Sequence, residues 1–321
     1  MPLIALPAIR EAASRLAGKV HRTPLFASGQ LGARIGAPLY LKCESFQKTG
    51  SFKPRGALNK ILSLAQADRA RGIVTVSAGN HAQAVAWAAR IVGAPATVVM
   101  PSDAPRSKLD AVRGYGAEIV LHEDRPTLFD RLRAVQEERG LTFVHPFDDP
   151  VVLAGAGTVG LEILEDLPDT ATVVVPVGGG GLLGGVASAV KQLRPGTRVV
   201  AVELEAGPGL GPALAAGRPV PAPRPAGTLC DGMTPPFVGA LPLEIAREAV
   251  DEIVTVSETS VIRAMGLLMT RAKLVVEGSG AAATAALLDG KIRAAGGPVV
   301  AIVSGANIDL SRIPRAFEET S

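Results

Sequence analysis

Aromatic side chains are scarce: Phe, Trp and Tyr together make up 3% of the chain, so any core has to be packed from Ala, Val, Leu and Gly. Cysteine is nearly missing too. The two present, Cys43 and Cys230, lie far apart and form no CxxC pair, which argues against a disulfide framework or a zinc site and for a reducing compartment. No basic run occurs, and the formal charge of +3 comes from interspersed charges, so nucleic-acid binding has no footprint. No apolar stretch approaches a membrane span, and the opening MPLIALPAIREAASR lacks the basic flank and cleavage pattern of a secretory signal. A cytoplasmic protein without membrane contact is expected. His21, His81, His122 and His145 have no ligand spacing and are read as hydrogen-bonded structural residues, with no metal site expected.

What is present is ample core material, 47% apolar over 321 residues, and a regular alternation of strand and helix patterns. Strands are expected at residues 39–43, 72–76, 96–100, 118–121, 173–177, 198–204, 253–256 and 299–304. Helices are expected at 9–16, 80–92, 107–115, 126–139, 158–167, 182–193, 242–249, 257–272 and 279–288, with one helical turn near Leu214 in the Gly- and Pro-rich connection 207–225. Continuous apolar strands such as VTVVVPV suit parallel sheet buried on both faces. The fold class is therefore α/β with helices on both faces of open, mostly parallel twisted sheets. Residues 68–145 are expected as a small domain inserted into a large one built from 1–67 and 146–321.

Four segments carry chemistry. Lys53 sits between Phe52 and Pro54, a setting in which an ammonium can lose hydration and become a usable nucleophile, although the window also suits an ordinary surface lysine. Gly178-Gly179-Gly180-Gly181 falls between a strand and a helix starting at Leu182, where backbone amides can converge on a phosphate. Gly179, Gly181 and Gly184 also satisfy G-x-G-x-x-G, and Glu203 ends the next strand, so a nicotinamide dinucleotide is a competing reading. Gly155, Gly157 and Gly160 match that pattern without a strand before them, which weakens it. Ser77-Ala78-Gly79-Asn80-His81 closes a strand and opens a helix, suiting a carboxylate or a helix cap. Ser304-Gly305-Ala306-Asn307 ends the last strand.

Together LKCESFQKTGSFKPRG, SAGNHAQA, VGGGGLL and SGANIDLSR, in this order, resemble the pyridoxal-phosphate enzymes of the tryptophan-synthase β fold type (fold type II), within the threonine and serine dehydratase and serine racemase group. The resemblance runs from His21 to Arg312 and leans toward the catabolic-type threonine dehydratases. It implies that Lys53 holds the cofactor covalently, with Phe52 against one ring face. Gly178, Gly179, Gly180 and Gly181 with Leu182 would bind its phosphate. Asn80 would meet the ring hydroxyl and Ser304 the pyridine nitrogen. Ser77, Ala78, Gly79, Asn80 and His81 would hold the substrate carboxylate. The implied reaction is β-elimination from L-threonine, and from L-serine, to a 2-oxo acid and ammonia.

The chain also departs from the family. Racemizing members have a serine where Ala78 stands, and Gly209 falls where metal-binding members have a second carboxylate beside the equivalent of Glu203. No regulatory domain is expected beyond Ser321, and a homo-oligomer is expected. A racemase, a hydroxyaspartate-type ammonia-lyase and a catalytically silent amino-acid-binding relative remain as alternatives.

Overall fold

The computed structural model describes residues 3–104, 106–294 and 296–313. Among the described residues ten strands run in chain order: β1 (Leu25–Ala27), β2 (Leu39–Cys43), β3 (Ile73–Val76), β4 (Ala96–Pro101), β5 (Glu118–His122), β6 (Thr142–Phe143), β7 (Thr172–Pro176), β8 (Arg198–Leu204), β9 (Glu252–Val256) and β10 (Val299–Val303). They form a six-stranded sheet, β1-β2-β10-β7-β8-β9, and a four-stranded one, β5-β4-β3-β6. Every pairing is parallel except β1 with β2, so both are open sheets of the expected class. β10 lies between β2 and β7, with Val299 opposite both Leu39 and Thr172.

The apolar runs are continuous because alternate residues serve opposite faces. Val174 of β7 packs with Val200, Val202 and the small residues of the helix Gly278–Leu288, while Val173 and Val175 pack with Val199 and with the helices Pro150–Asp166 and Gly181–Leu193. Alanine and glycine dominate these helices, which compensates for the lack of aromatics by letting helices lie close.

The main departure from the sequence reading is the helix Pro150–Asp166, expected only from Thr158. Asp149 caps it, its carboxylate accepting from the amides of Val151 and Val152, and Pro150 occupies the first turn. Gly155, Gly157 and Gly160, poor helix formers, are a contact stripe inside it. A Cβ on Gly155 would lie 2.4 Å from the Arg55 carbonyl oxygen, and one on Gly160 would lie 3.0 Å from the Val186 carbonyl oxygen. Close packing on the helices Lys53–Ser63 and Gly181–Leu193 therefore outweighs helix propensity. The short β1, the helix Gly29–Ile35 and the two-residue β6 were not anticipated. The helix expected to Ala272 stops at Leu267 and continues as a π turn, Leu268–Ala272.

At the junction of β2 with the helices Lys53–Ser63 and Pro150–Asp166 lies a buried charge cluster. The Arg55 guanidinium donates to both oxygens of Glu44 (2.7 and 2.8 Å) and both of Glu162 (2.6 and 2.9 Å), and Lys42 donates to Glu162 at 2.6 Å. Burial alone would raise the Glu162 carboxyl, but hydrogen bonds and charge from Arg55 and Lys42 bring it below the ordinary range. Removing Arg55 would leave the buried Glu44 without a cation and Glu162 with Lys42 alone. Arg55→Ala is expected to lower the unfolding free energy by about 3–5 kcal/mol, measured by urea denaturation; a loss under about 1 kcal/mol would place the cluster among weak surface-type pairs.

Candidate active site

The four chemical segments meet at the carboxyl edges of parallel strands: Ser77 follows β3, Gly178 follows β7, Ser304 follows β10, and Lys53 lies ten residues beyond β2. In open parallel sheets this is where ligands bind. Direct backbone pairing joins two of the segments. The Phe52 amide donates to the Ser304 carbonyl at 3.1 Å and the Ala306 amide to the Gly50 carbonyl at 2.9 Å, around a bridge between Ser51 and Gly305.

Lys53 is the first residue of its helix, with Pro54 behind it. Its amine donates to the Pro146 carbonyl at 2.8 Å and lies 5.1 Å from the Phe52 ring centroid. No carboxylate forms an ion pair with it among the described residues. Desolvation lowers its pKa to about 8. The Pro146 carbonyl is steadied by two neutral imidazoles. His145 Nδ1 accepts from the amides of Phe147 and Asp148 (3.2 and 2.8 Å), and desolvation lowers its pKa to about 4. His81, pushed well below its ordinary value by desolvation and then by the Lys53 charge, donates through Nε2 to the Val144 carbonyl. His21 and His122 are hydrogen-bonded as well, to the Phe46 carbonyl and the Thr127 hydroxyl.

The glycine run packs as tightly as it turns. Gly180 has φ +89°, and a Cβ there would lie 2.5 Å from Pro242; one on Gly179 would enter the Phe147 ring at 2.3 Å, and one on Gly178 would lie 2.6 Å from the Gly232 carbonyl oxygen. A side chain at Gly180 therefore disrupts the protein's own packing whether or not a ligand binds. The helix begins at Gly181 rather than Leu182, without a side-chain cap, so its first amides are available to an anion. The Leu182 side chain is buried in the core.

Other expected site residues are already engaged. The Ser77 hydroxyl accepts from the Gly79 amide at 3.1 Å and keeps its proton to donate. The Ser304 hydroxyl donates to the Ser279 carbonyl at 3.2 Å, so donating to a ligand requires rotation about its χ1. Asn80 donates to Glu277 at 2.7 Å and accepts from Asn307 at 2.8 Å. Glu277 was missed in the sequence. It is buried, and burial, then the nearby Asp231, raises its pKa to about 8. Nothing marks it in sequence beyond its place before the helix Gly278–Leu288. Also unanticipated are the ion pair of Lys108 with Asp231, which crosses from the four-stranded sheet's helices to the other side of the site, and Thr49, non-glycine yet at φ 59°. Glu203 is a structural acid: its oxygens accept from the amides of Gly209, Leu210 and Gly211 at 2.6, 2.5 and 2.9 Å.

The residues fit a phosphorylated aromatic aldehyde. The amine is desolvated and lacks a counter-ion, a glycine-lined helix start faces the strand edge, and Thr49 Oγ1, Ser51 Oγ, Ser279 Oγ and His81 Nδ1 are buried without a protein partner.

Comparison with known proteins agrees. The chain is 45% identical over 314 residues to an L-threonine ammonia-lyase of Geobacter sulfurreducens, covering 97% of this chain and 77% of that one. Among solved structures it superposes on a T.th. threonine deaminase with TM-score 0.90 and 44% identity, covering 95% of this chain and 99% of that one. Maize serine racemase superposes with TM-score 0.91 and 38% identity, covering 98% and 97%. Residues 16–305 match the model of the pyridoxal-phosphate dependent enzymes, and the chain belongs to that family.

Proposed function

We propose that the protein is a threonine ammonia-lyase, acting also on L-serine, in which Lys53 carries the cofactor and moves the substrate's α-proton. The observation that supports this most is the Lys53 amine itself, desolvated, without an ion-pair partner and held by the Pro146 carbonyl at 2.8 Å, next to Phe147, against which the glycine run packs. Pyridoxal phosphate supplies an electron sink that acidifies the substrate's Cα–H bond. The protein supplies the rest. Amides of Gly178 to Gly181 and Leu182 would bind the phosphate, with help from the dipole of the helix Gly181–Leu193. Phe52 would lie against one ring face and the remaining Asn80 N–H would take the ring oxygen. The Ser77 hydroxyl and the backbone from Ala78 through Gly79 to His81 hold the substrate carboxylate at the start of the helix Asn80–Val92.

Ser304 is the group assigned to the pyridine nitrogen. Its neutral hydroxyl would offer that nitrogen a hydrogen bond without the charge a carboxylate would bring, so the cofactor would act there as a tempered electron sink. The proton that Lys53 would remove at Cα would be held on its Nζ, the atom that donates to the Pro146 carbonyl at 2.8 Å. Residues 68–145 are assigned as the small domain over the site and residues 1–67 with 146–321 as the large one. Cytoplasmic residence and a homo-oligomeric state, with a small hydroxy amino acid as the only partner, complete the reading.

A second reading, serine racemization, is supported by the close superposition on maize serine racemase. Ala78 weighs against it, because racemization needs a proton delivered to the face opposite Lys53 and a methyl group has none to give. Ala78→Ser is expected to raise the ratio of D-serine formed to pyruvate formed, read in a chiral assay of the serine pool; substantial D-serine from the unmodified protein would favour the racemase.

Incubation with a panel of amino acids should yield 2-oxobutyrate from L-threonine and pyruvate from L-serine. Lys53→Ala should abolish both, and borohydride should fix the cofactor to Lys53. Keto acid formed undiminished by Lys53→Ala would overturn the assignment. The lowered pKa gives a further expectation. Only the neutral amine attacks a carbonyl, so capture of pyridoxal phosphate by cofactor-free protein should accelerate with pH up to about 8 and level off above it. Stopped-flow absorbance reads this; acceleration continuing to about pH 10, the range of an ordinary lysine, would show that the amine is not desolvated.

A further inference from the structure

The geometry points to Glu277 and Asn307 as positioning residues that fix which way round the Asn80 amide is held, and hence which of its atoms meets the ligand. This rests on the reading of Asn80 as a cofactor-binding residue. The direction of the chain of hydrogen bonds is set at one end by the Thr49 carbonyl, which can only accept. Asn307 Nδ2 donates to it at 2.7 Å, so the Asn307 amine must face Thr49. The second proton on that nitrogen goes to Asn80 Oδ1 at 2.8 Å. Asn80 must then turn its nitrogen the other way, where Nδ2 donates to Glu277 Oε1 at 2.7 Å. Each link leaves the next residue one orientation only.

The backbone is built around this chain. Thr49 is held left-handed at φ 59°, and Gly50 follows at φ 71°, where a Cβ would lie 2.7 Å from Asn307 Oδ1. In this conformation the Thr49 carbonyl points at Asn307 Nδ2. Glu277 is fully enclosed, takes the Asn80 N–H and is also bonded by the Asn307 backbone amide; the charged groups facing it are Asp231 and Lys108. Either protonation state of Glu277 keeps an acceptor oxygen for Asn80, so the orientation does not depend on its charge. The outcome is one Asn80 N–H proton left over as a donor to an anionic ligand oxygen. With the amide reversed, a carbonyl lone pair would face that same oxygen and repel it.

The acceptor and the charge of Glu277 can be separated. Glu277→Leu removes the acceptor, whereas Glu277→Gln keeps a carbonyl; Asn307→Asp keeps the shape but removes both donors. Cofactor affinity by equilibrium dialysis and the absorption band of the bound cofactor are compared with thermal midpoints of the cofactor-free proteins. Glu277→Leu and Asn307→Asp are expected to weaken pyridoxal-phosphate binding roughly ten- to a hundredfold, the range for losing a hydrogen bond to a charged group, and to shift the band. Glu277→Gln is expected to recover most of what Glu277→Leu loses. Gln as damaging as Leu, or Asp at 307 with unaltered affinity and band, overturns the inference. Should Asn307→Asp not fold, the pair at 277 decides alone. A wild type that binds no pyridoxal phosphate overturns instead the cofactor reading of the whole site.

Discussion

The Arg55 cluster is the constraint on which the site depends. Four ionised side chains, Lys42, Glu44, Arg55 and Glu162, are taken out of water where β2 meets two helices. Each is costly to bury, and the cost is offset only when the fork of Arg55 is aligned with both carboxylates at once. Such a cluster tolerates little sliding of one element on another. Arg55 lies two residues beyond Lys53 on the same helix, so the register that satisfies the carboxylates also fixes where the amine emerges at the strand edge.

Around that amine the protein uses neutral groups. His81 and His145 are kept uncharged by burial and steady the backbone on either side of the Pro146 carbonyl. Glu277 is kept largely protonated near neutral pH by burial and by Asp231. Desolvation lowers the Lys53 pKa, and the uncharged surroundings supply no carboxylate to offset it. Phosphate binding is assigned to amides and a helix start for the same reason: they offer partial positive charge without a cation that would compete with the lysine.

Most of the architecture was legible because periodicity reports burial. The helix Asn80–Val92 and the strands β2 and β8 end where their patterns end. The glycine-rich helix Pro150–Asp166 was truncated in the sequence reading because glycine's low propensity is a local signal, and the compensating contacts with Arg55 and Val186 are distant in sequence. Similarly Gly155, Gly157 and Gly160 mimic a nucleotide fingerprint while serving helix packing. β1 and β6 are too short to show a period at all.

By itself the sequence determined the chemistry on offer: a lysine between an aromatic and a proline, a glycine run between strand and helix, and short polar segments at strand ends, because these depend on residue type and local order. Tertiary structure decided which groups touch. Glu277 becomes part of the site only because β10 inserts between β2 and β7, bringing residues 304–307 against 49–52 and Glu277 within reach of Asn80. Strand order is set by how whole faces pack, and no single window of sequence carries that information.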